Sequence, residues 1–332
     1  MGTSNFTCCQ RNHVFGGKVV PCDRGITRKI LEGMIEAKVQ HFFKLERTLE
    51  ARLCTSFANW WLRVESTLEE SHAESLDSFK NSLRIDEDET EWNDEDGVPI
   101  LFYAVLQNNI KIVRKLLDNE ACTKSRLNIP FFEDGIVEFG IPARGTILLG
   151  AMCFACVEIV EMLLKKGADP YFKDKNGMDC LMLASTLGRA ENVTFWLSQF
   201  PDWDVNRGNN VNGSTALHCV VYFGRNKMKT FQALLQNSRT HLDVLNHGGA
   251  SILSNAVNSE DSNVDIVKYL LSQPLKHGVN HRRTAKTMKW KLIYGLTRGL
   301  KRVRLLRSRL FTELASESGS TPLQYAVCRG DL

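Results

Sequence analysis

The sequence predicts an all-α fold, a solenoid of helix-turn-helix repeats with β-hairpin-like connections and a helical extension at its N-terminus. Two observations lead to this prediction. A short pattern of glycine, Thr or Ser, Leu and a small residue recurs at a spacing of about 33 residues. An apolar pair such as Leu-Leu follows most copies at a distance that suits a second helix. With 43% hydrophobic residues, the chain of 332 residues has enough apolar side chains to bury a core.

The clearest repeat begins at Arg144. It contains Thr-Ile-Leu-Leu-x-Ala from Thr146, and Val-Glu-Ile-Val-x-x-Leu-Leu-x-x-Gly-Ala-Asp from Val157. The other copies of the opening begin at Gly97, Gly177, Gly213, Gly249 and Gly319. Over residues 94–332 this pattern resembles the ankyrin repeat. The resemblance implies five full repeats over 97–274 and the first half of a sixth over 317–332.

The residue types within each repeat have physical reasons. A Thr or Ser two residues after the turn glycine can cap the first helix. Gly188, Gly224 and Gly330 follow a first helix where a left-handed residue is expected, and Asn108 and Ala155 hold the equivalent places. His218 occupies the histidine of the repeat signature, so we expect it to bond to neighbouring backbone.

The end of the chain falls within a repeat. Residues 317–332 supply a turn and a first helix, but no second helix follows. Because each repeat relies on a neighbour to bury its apolar face, we expect the natural protein to continue beyond Leu332.

The resemblance implies a function in protein binding. Ankyrin-like stacks bind partners through a concave surface of hairpin tips and first helices. We therefore expect a non-catalytic scaffold or adaptor that binds another protein. The alternative is the regulatory region of a larger enzyme or of a membrane-associated protein. The predicted groove residues are Leu106, Phe154, Lys175, Met178, Leu187, Val211, Tyr222 and Phe223. Leu187 and Phe223 could instead pack on the adjacent repeat.

The flanking segments differ in composition. Residues 1–26 are predicted to form a flexible tail, and 27–85 an amphipathic helical region that caps the stack or dimerises. Residues 86–96 contain eight acidic residues and are predicted to be a linker. An insertion at 125–142 carries an Asp-Gly pair between apolar runs, which favours a β-hairpin.

A basic helical insertion is predicted at 275–316. From Lys276 to Arg309 there are twelve Lys or Arg and no acidic residue. One interpretation is a helix packed on the solenoid, with Trp290, Ile293, Leu300 and Leu306 buried. In the others, a helix over 286–313 binds calmodulin through Trp290 and Val303, or an anionic membrane, with nucleic acid ranked last. The candidate binding residues are Trp290, Lys291, Arg298, Lys301, Arg302, Arg304, Arg307 and Arg309.

Catalytic motifs do not occur in the sequence. It contains no phosphate-binding loop, dinucleotide fingerprint, zinc-protease motif or nucleophile elbow. We expect no enzyme activity, no cofactor and no metal site, and Cys153 and Cys156 are expected to be ordinary thiols. Without a secretory segment or a long apolar run, the chain is predicted to be cytoplasmic, with the nucleus or a membrane surface as alternatives.

Overall fold

The computed structural model describes residues 14–15, 18–19, 98–120, 122–131, 144–223, 227–259, 264–302 and 315–329. The chain divides into two compact units, Met1–Thr55 and Ser56–Leu332. The predicted helical region 27–85 and the acidic linker 86–96 lie outside the described residues.

In the first unit, two short strands pair where the sequence predicted a tail. Strand β1 (Val14–Phe15) runs antiparallel to β2 (Lys18–Val19), with Val14 opposite Val19. The residues between the strands are Gly16 and Gly17, and a Gly-Gly pair between apolar residues favours a hairpin. The prediction of a tail over 1–26 did not include this pairing.

The described part of the second unit is helical. Its helices are α1 (Ile100–Leu106), α2 (Ile110–Asp118), α3 (Lys124–Leu127), α4 (Ile147–Phe154), α5 (Val157–Lys166), α6 (Cys180–Thr186), α7 (Ala190–Gln199), α8 (Ala216–Phe223), α9 (Lys227–Leu235), α10 (Ile252–Asn258), α11 (Val264–Ser272), α12 (Met288–Arg302) and α13 (Pro322–Arg329). Five helix pairs and one further first helix therefore match the predicted repeats.

The helices form two parallel rows. The first helices α1, α4, α6, α8, α10 and α13 each pack on the next, and so do the second helices α2, α5, α7, α9 and α11. A continuous apolar core lies between the rows. The small residues Ala104, Ala151, Ala184 and Ala256 are buried in it, and Val220 takes the same place in the fourth repeat. Stacking α13 directly on α10 leaves the basic insertion outside the row of first helices.

Close approach of neighbouring repeats is visible at Gly150. A Cβ atom there would lie 2.6 Å from Cε2 of Phe102, so α1 and α4 touch where the side chain is missing. Phe102 fills the space and also packs its ring on Phe131, with centroids 4.6 Å apart. Each repeat is therefore stabilised in part by the side chains that the neighbouring repeat packs against it.

Local capping explains where four of the first helices begin, whereas Pro99 and Thr146 precede α1 and α4 without a side-chain cap bond. Thr215, Ser251 and Thr321 each accept a hydrogen bond from the backbone N–H three residues later. Gln324 in turn accepts from the backbone N–H of Thr321 at 2.9 Å, which completes a capping box. Asp179 caps the first helix of the third repeat, because its carboxylate accepts from the backbone N–H of Met182 at 2.9 Å.

The predicted left-handed residues at the ends of the first helices are confirmed at two places. Gly188 has φ 68°, and Asn108 adopts φ 54° in the equivalent position. Ala155 instead has an extended backbone, with φ −90° and ψ 164°, so α4 ends by a different route. Gly224 and Gly330 lie outside the described residues.

The insertion after the first repeat begins as a helix. Thr123 caps helix α3, because its hydroxyl accepts from the backbone N–H of Arg126. Asn128 then joins the segment to the end of α5, because its amide donates to the carbonyl of Gly167 and accepts from the N–H of Asp169. A single antiparallel bridge pairs Phe131 with Gly145. The predicted Asp-Gly turn at 134–135 lies outside the described residues.

Candidate functional site

Each of three connections between repeats forms a tight hairpin tip that an Asp or Asn closes. Its backbone N–H donates across the tip, to the carbonyl of Met178, Ser214 or Ala250, at 3.0 to 3.1 Å. Its side-chain oxygen accepts from one to three backbone N–H groups of the same tip. These residues are Asp174, Asn209 and Asn246, and each is followed by a glycine with positive φ, namely Gly177, Gly213 and Gly249. The tips therefore form from local sequence.

Neighbouring tips are joined by backbone hydrogen bonds. The N–H of Asn210 donates to the carbonyl of Asn176 at 3.0 Å, and the N–H of His247 donates to the carbonyl of Asn212 at 2.7 Å. The N–H of Lys286 then donates to the carbonyl of His247 at 2.9 Å. The tips thus make one continuous edge that ends in the basic segment.

The basic segment is inserted into the hairpin tip at which the sixth, half repeat begins. The N–H of Arg283 donates to the carbonyl of Ser320 at 3.0 Å, and the N–H of Gly319 donates to the carbonyl of Arg283 at 2.8 Å. Gly319 has φ 87°, as the other tip glycines do. Arg283 therefore occupies the place of Asp174 and Gly319 that of Gly177, while residues 284–318 lie between them in the sequence. The sequence had placed this insertion before the half repeat and not within its hairpin.

A buried ion pair closes the split tip. Nη1 of Arg283 lies 2.9 Å from Oε2 of Glu317, and the two side chains are 10% and 17% exposed. Burial opposes the charge of Arg283, but Glu317, Tyr294 and Tyr325 together outweigh it, so the pKa of the guanidinium is raised. Tyr294 lies against the pair and donates to the carbonyl of Gly248 at 3.2 Å. Burial, reinforced by Glu317, raises the pKa of Tyr294 to about 12, so the phenol stays protonated.

Helix α12 packs on the fifth tip through aromatic side chains. Trp290 is 9% exposed and contacts Tyr294, with ring centroids 5.6 Å apart. A Cβ atom at Gly248 would lie 2.8 Å from the hydroxyl of Tyr294, so the missing side chain lets the helix sit against the tip. Ile293 is half-buried. These contacts agree with the interpretation of a helix packed on the solenoid.

The cations of the basic helix, unlike its aromatic residues, are exposed wherever the structure describes their side chains. Lys291, Arg298, Lys301 and Arg302 are exposed, whereas Arg304, Arg307 and Arg309 lie outside the described residues, as does Val303. The side chain of Leu300 and all of Leu306 also lie outside them. A partner that used Trp290 as its anchor, as in the calmodulin interpretation, would first have to detach α12 from the tip.

The predicted groove residues fall into two sets according to their distance from the tip residue (Gly97, Arg144, Gly177, Gly213 or Gly249). Residues one place after it are buried, namely Val98, Met178, Ser214 and Ala250. Residues nine places after it are buried in the first three repeats, namely Leu106, Cys153 and Thr186. Leu106 and Met178, each 1% exposed, therefore belong to the core, and their assignment to the groove is corrected. Met178 contacts the next repeat, where Nδ2 of Asn209 lies 3.6 Å from its sulfur, and the sequence of one repeat does not reveal this contact.

The accessible positions lie two places before the tip residue and ten after it. Lys175 is exposed, and Val211 is half-buried. Phe154 and Leu187 are half-buried at the ends of α4 and α6, and both also contact the core. Tyr222 lies nine places after Gly213 and is half-buried, unlike its counterparts in the first three repeats, while the side chain of Phe223 lies outside the described residues. His247 and Gln107 hold equivalent places that the sequence analysis missed, although their spacing from the tip residue could have found them.

His218 has a structural role. It is fully buried, with Nδ1 3.0 Å from the hydroxyl of Thr215 and Nε2 3.3 Å from the carbonyl of Ala250. If Nε2 carries the proton, both contacts are satisfied by a neutral ring, since Nε2 donates and Nδ1 accepts. Burial lowers the pKa of His218 to about 4, which keeps the ring neutral.

The cysteines of the described core are unreactive by environment. Cys153, Cys180 and Cys219 are buried free thiols, and burial raises the pKa of each, that of Cys219 to about 12. Since the thiolate is the reactive form, this burial disfavours nucleophilic chemistry. Among the described residues, no group of three or more His, Cys, Asp or Glu side chains could hold a metal ion. No helix in the same part of the chain is long and apolar enough to cross a membrane.

Stacked helix pairs joined by hairpin tips define a repeat protein of the solenoid class. Residues 181–285 match the family model of ankyrin repeats in 3 copies. Residues 181–285 are therefore ankyrin repeats, as the sequence pattern predicted for this part of the chain. Among solved structures, the crystal structure of the ankyrin repeat protein EF0377 is similar, with a TM-score of 0.45 and 19% identity. That match covers 69% of this chain and 91% of that chain. A search of curated proteins finds no match.

Proposed function

We propose that the protein binds another protein through the surface formed by its hairpin tips and the ends of its first helices. Ankyrin repeats are in general modules of protein–protein interaction, so the proposal concerns the place of binding. The observation that carries it is the partial exposure of Phe154, Leu187 and Tyr222 at the ends of three successive first helices. Aromatic and large apolar side chains of this kind form the centre of most protein interfaces.

The tips contribute charged, polar and apolar side chains to the same surface. Lys175 is exposed on the third tip, and Val211 and His247 are half-buried on the next two. An apolar centre with a polar rim is the usual composition of an interface. The backbone bonds between the tips hold these side chains at fixed spacing, which lowers the entropic cost of binding.

A pull-down with the full chain, followed by mass spectrometry, identifies the partner. The affinity of that partner is then measured for Phe154→Ala and Tyr222→Ala. We expect each substitution to weaken binding by about tenfold or more, since truncation of a hot-spot residue costs on the order of 2 kcal/mol. Tyr269→Ala is the matched control, because Tyr269 is a partly exposed tyrosine on the second helix α11. Unchanged affinity of both groove variants, in folded protein, would contradict the proposal.

A further inference from the structure

Helix α12 has a second apolar face that no described residue covers. Met288, Leu292 and Leu296 are 68%, 68% and 41% exposed. Residues at this spacing of four lie along one side of a helix, and this side is opposite the buried Trp290 and Tyr294. We call these three residues the outer stripe. The aromatic contacts with the fifth tip thus fix α12 with the outer stripe turned to solvent.

The surroundings of the outer stripe are entirely basic within α12. Lys289, Lys291, Arg298 and Arg302 are exposed on this helix, and it contains no acidic residue. The tract from Lys276 to Arg309 carries twelve cations, so the rest of the chain sums to 4 − 12 = −8. The exposed cations around the outer stripe therefore favour an anionic occupant of this face.

We propose that the outer stripe of α12 docks on a membrane surface rich in anionic lipid while Trp290 stays packed on the solenoid. A row of Met and Leu flanked by Lys and Arg is the composition of helices that lie in the membrane interface. The cations bind lipid phosphates, and the three apolar side chains enter the boundary of the acyl chains. This proposal is independent of the protein-binding surface, because it uses a different face and different residues.

The insertion of the basic segment into a hairpin tip gives the docking of α12 a defined orientation. Arg283 and Tyr294 attach α12 to the fifth and sixth tips. Lipid binding through the outer stripe would therefore orient the whole stack and leave Phe154, Leu187 and Tyr222 available to a protein. A helix that bound lipid through Trp290 would instead have to leave the stack and break these contacts.

The test uses flotation of the full chain with two kinds of vesicle, one of phosphatidylcholine alone and one in which part of it is replaced by phosphatidylserine. We expect binding to the phosphatidylserine vesicles only, and weaker binding as salt concentration rises. Leu292→Asp should lower the affinity by about tenfold or more, since it places a charge in the stripe. Leu271→Asp is the matched control, because Leu271 is 53% exposed on α11 and should have no effect.

Charge reversal tests the electrostatic part. Lys291→Glu combined with Arg298→Glu should lower the affinity by about tenfold or more, whereas Lys111→Glu on α2 should not. Absence of binding to phosphatidylserine vesicles overturns the proposal. Equal binding to both kinds of vesicle, or full binding by Leu292→Asp, overturns it as well. Binding to polyglutamate without binding to vesicles would assign the face to an acidic protein.

Discussion

Arg283 and Glu317 form an ion pair across the base of the basic insertion, with Nη1 and Oε2 2.9 Å apart. The equivalent residues in the three preceding tips are Asp or Asn, whose side chains accept backbone N–H groups a few places along. Such an Asx turn needs adjacent residues, and the insertion separates them in the sixth tip. A long-range pair of charges has taken over the closure, so the ion pair connects α12 and α13 to the stack.

Glu317→Gln should destabilise this end of the protein. The substitution leaves the buried guanidinium of Arg283 without a counter-charge, which costs on the order of 3 kcal/mol. We expect a lower free energy of unfolding in urea and faster hydrogen exchange in α12 and α13 than in α4 to α7. The control is Asp202→Asn, because Asp202 is fully exposed and pairs with Arg239 at 3.6 Å. Equal stability of Glu317→Gln and the parent would refute the closing role of the pair.

Asp174→Asn should stabilise the protein at neutral and alkaline pH. Burial raises the pKa of Asp174 from 3.8 to about 7, in spite of two backbone N–H groups that donate to its carboxyl. A raised pKa means that the folded state holds the proton more tightly. The contribution of Asp174 to stability is therefore complete below pH 3.8 and is lost as the pH rises to about 7. An amide accepts the same backbone bonds without a charge, as Asn209 and Asn246 do.

The measurement is the free energy of unfolding of Asp174→Asn and of the parent from acid to alkaline pH. The variant should be the more stable above pH 7 and lose that advantage towards pH 4. Asn246→Asp is the reciprocal variant and should acquire the pH dependence that Asp174→Asn loses. A variant Asp174→Asn that is less stable than the parent at pH 8 would show that the carboxylate itself is needed.

His218→Gln should flatten the pH dependence of stability in acid. Burial lowers the pKa of His218 from 6.5 to about 4, so below pH 6.5 the unfolded chain binds a proton that the folded protein excludes. Stability therefore falls as the pH drops from 6.5 to about 4, and the glutamine variant lacks this loss. Proton uptake on unfolding at pH 5, measured by calorimetry in two buffers, should be smaller in the variant. Identical uptake would mean that the buried ring titrates normally.

Gly249→Ala and Gly295→Ala should have opposite effects. Gly249 has φ 82°, and a Cβ atom there would clash with the carbonyl oxygen of Thr284, so we expect a loss of about 2 kcal/mol or more. Gly295 lies in α12, and apart from its chain neighbours and the backbone of its own helix no heavy atom lies within 4 Å of an added Cβ. Alanine there should stabilise the helix by about 0.5 to 1 kcal/mol. Thermal unfolding of both variants decides the point, and a harmless Gly249→Ala would mean that the tip is looser than described.

The sequence by itself determined the repeat and its local details. Thr215, Ser251 and Thr321 cap their helices, and Gly188 has the left-handed backbone, because these features depend on residues only a few places apart. The period of the pattern likewise predicted five helix pairs and one more first helix. Local chemistry of this kind can be read from one repeat at a time.

Only the tertiary structure decided which side chains are buried and which are exposed to a partner. Leu106 and Met178 are buried, and Met178 contacts Asn209 of the next repeat, a contact of which its own repeat carries no record. The pairing of Arg283 with Gly319 and Glu317 joins residues on opposite sides of a long insertion, so no periodic pattern reveals it. Helix α12 is apolar on two sides, and the contact of Trp290 and Tyr294 with the fifth tip selects the inner one. In each case the deciding contact is made by residues far apart in the chain, and such contacts exist only once the stack has formed.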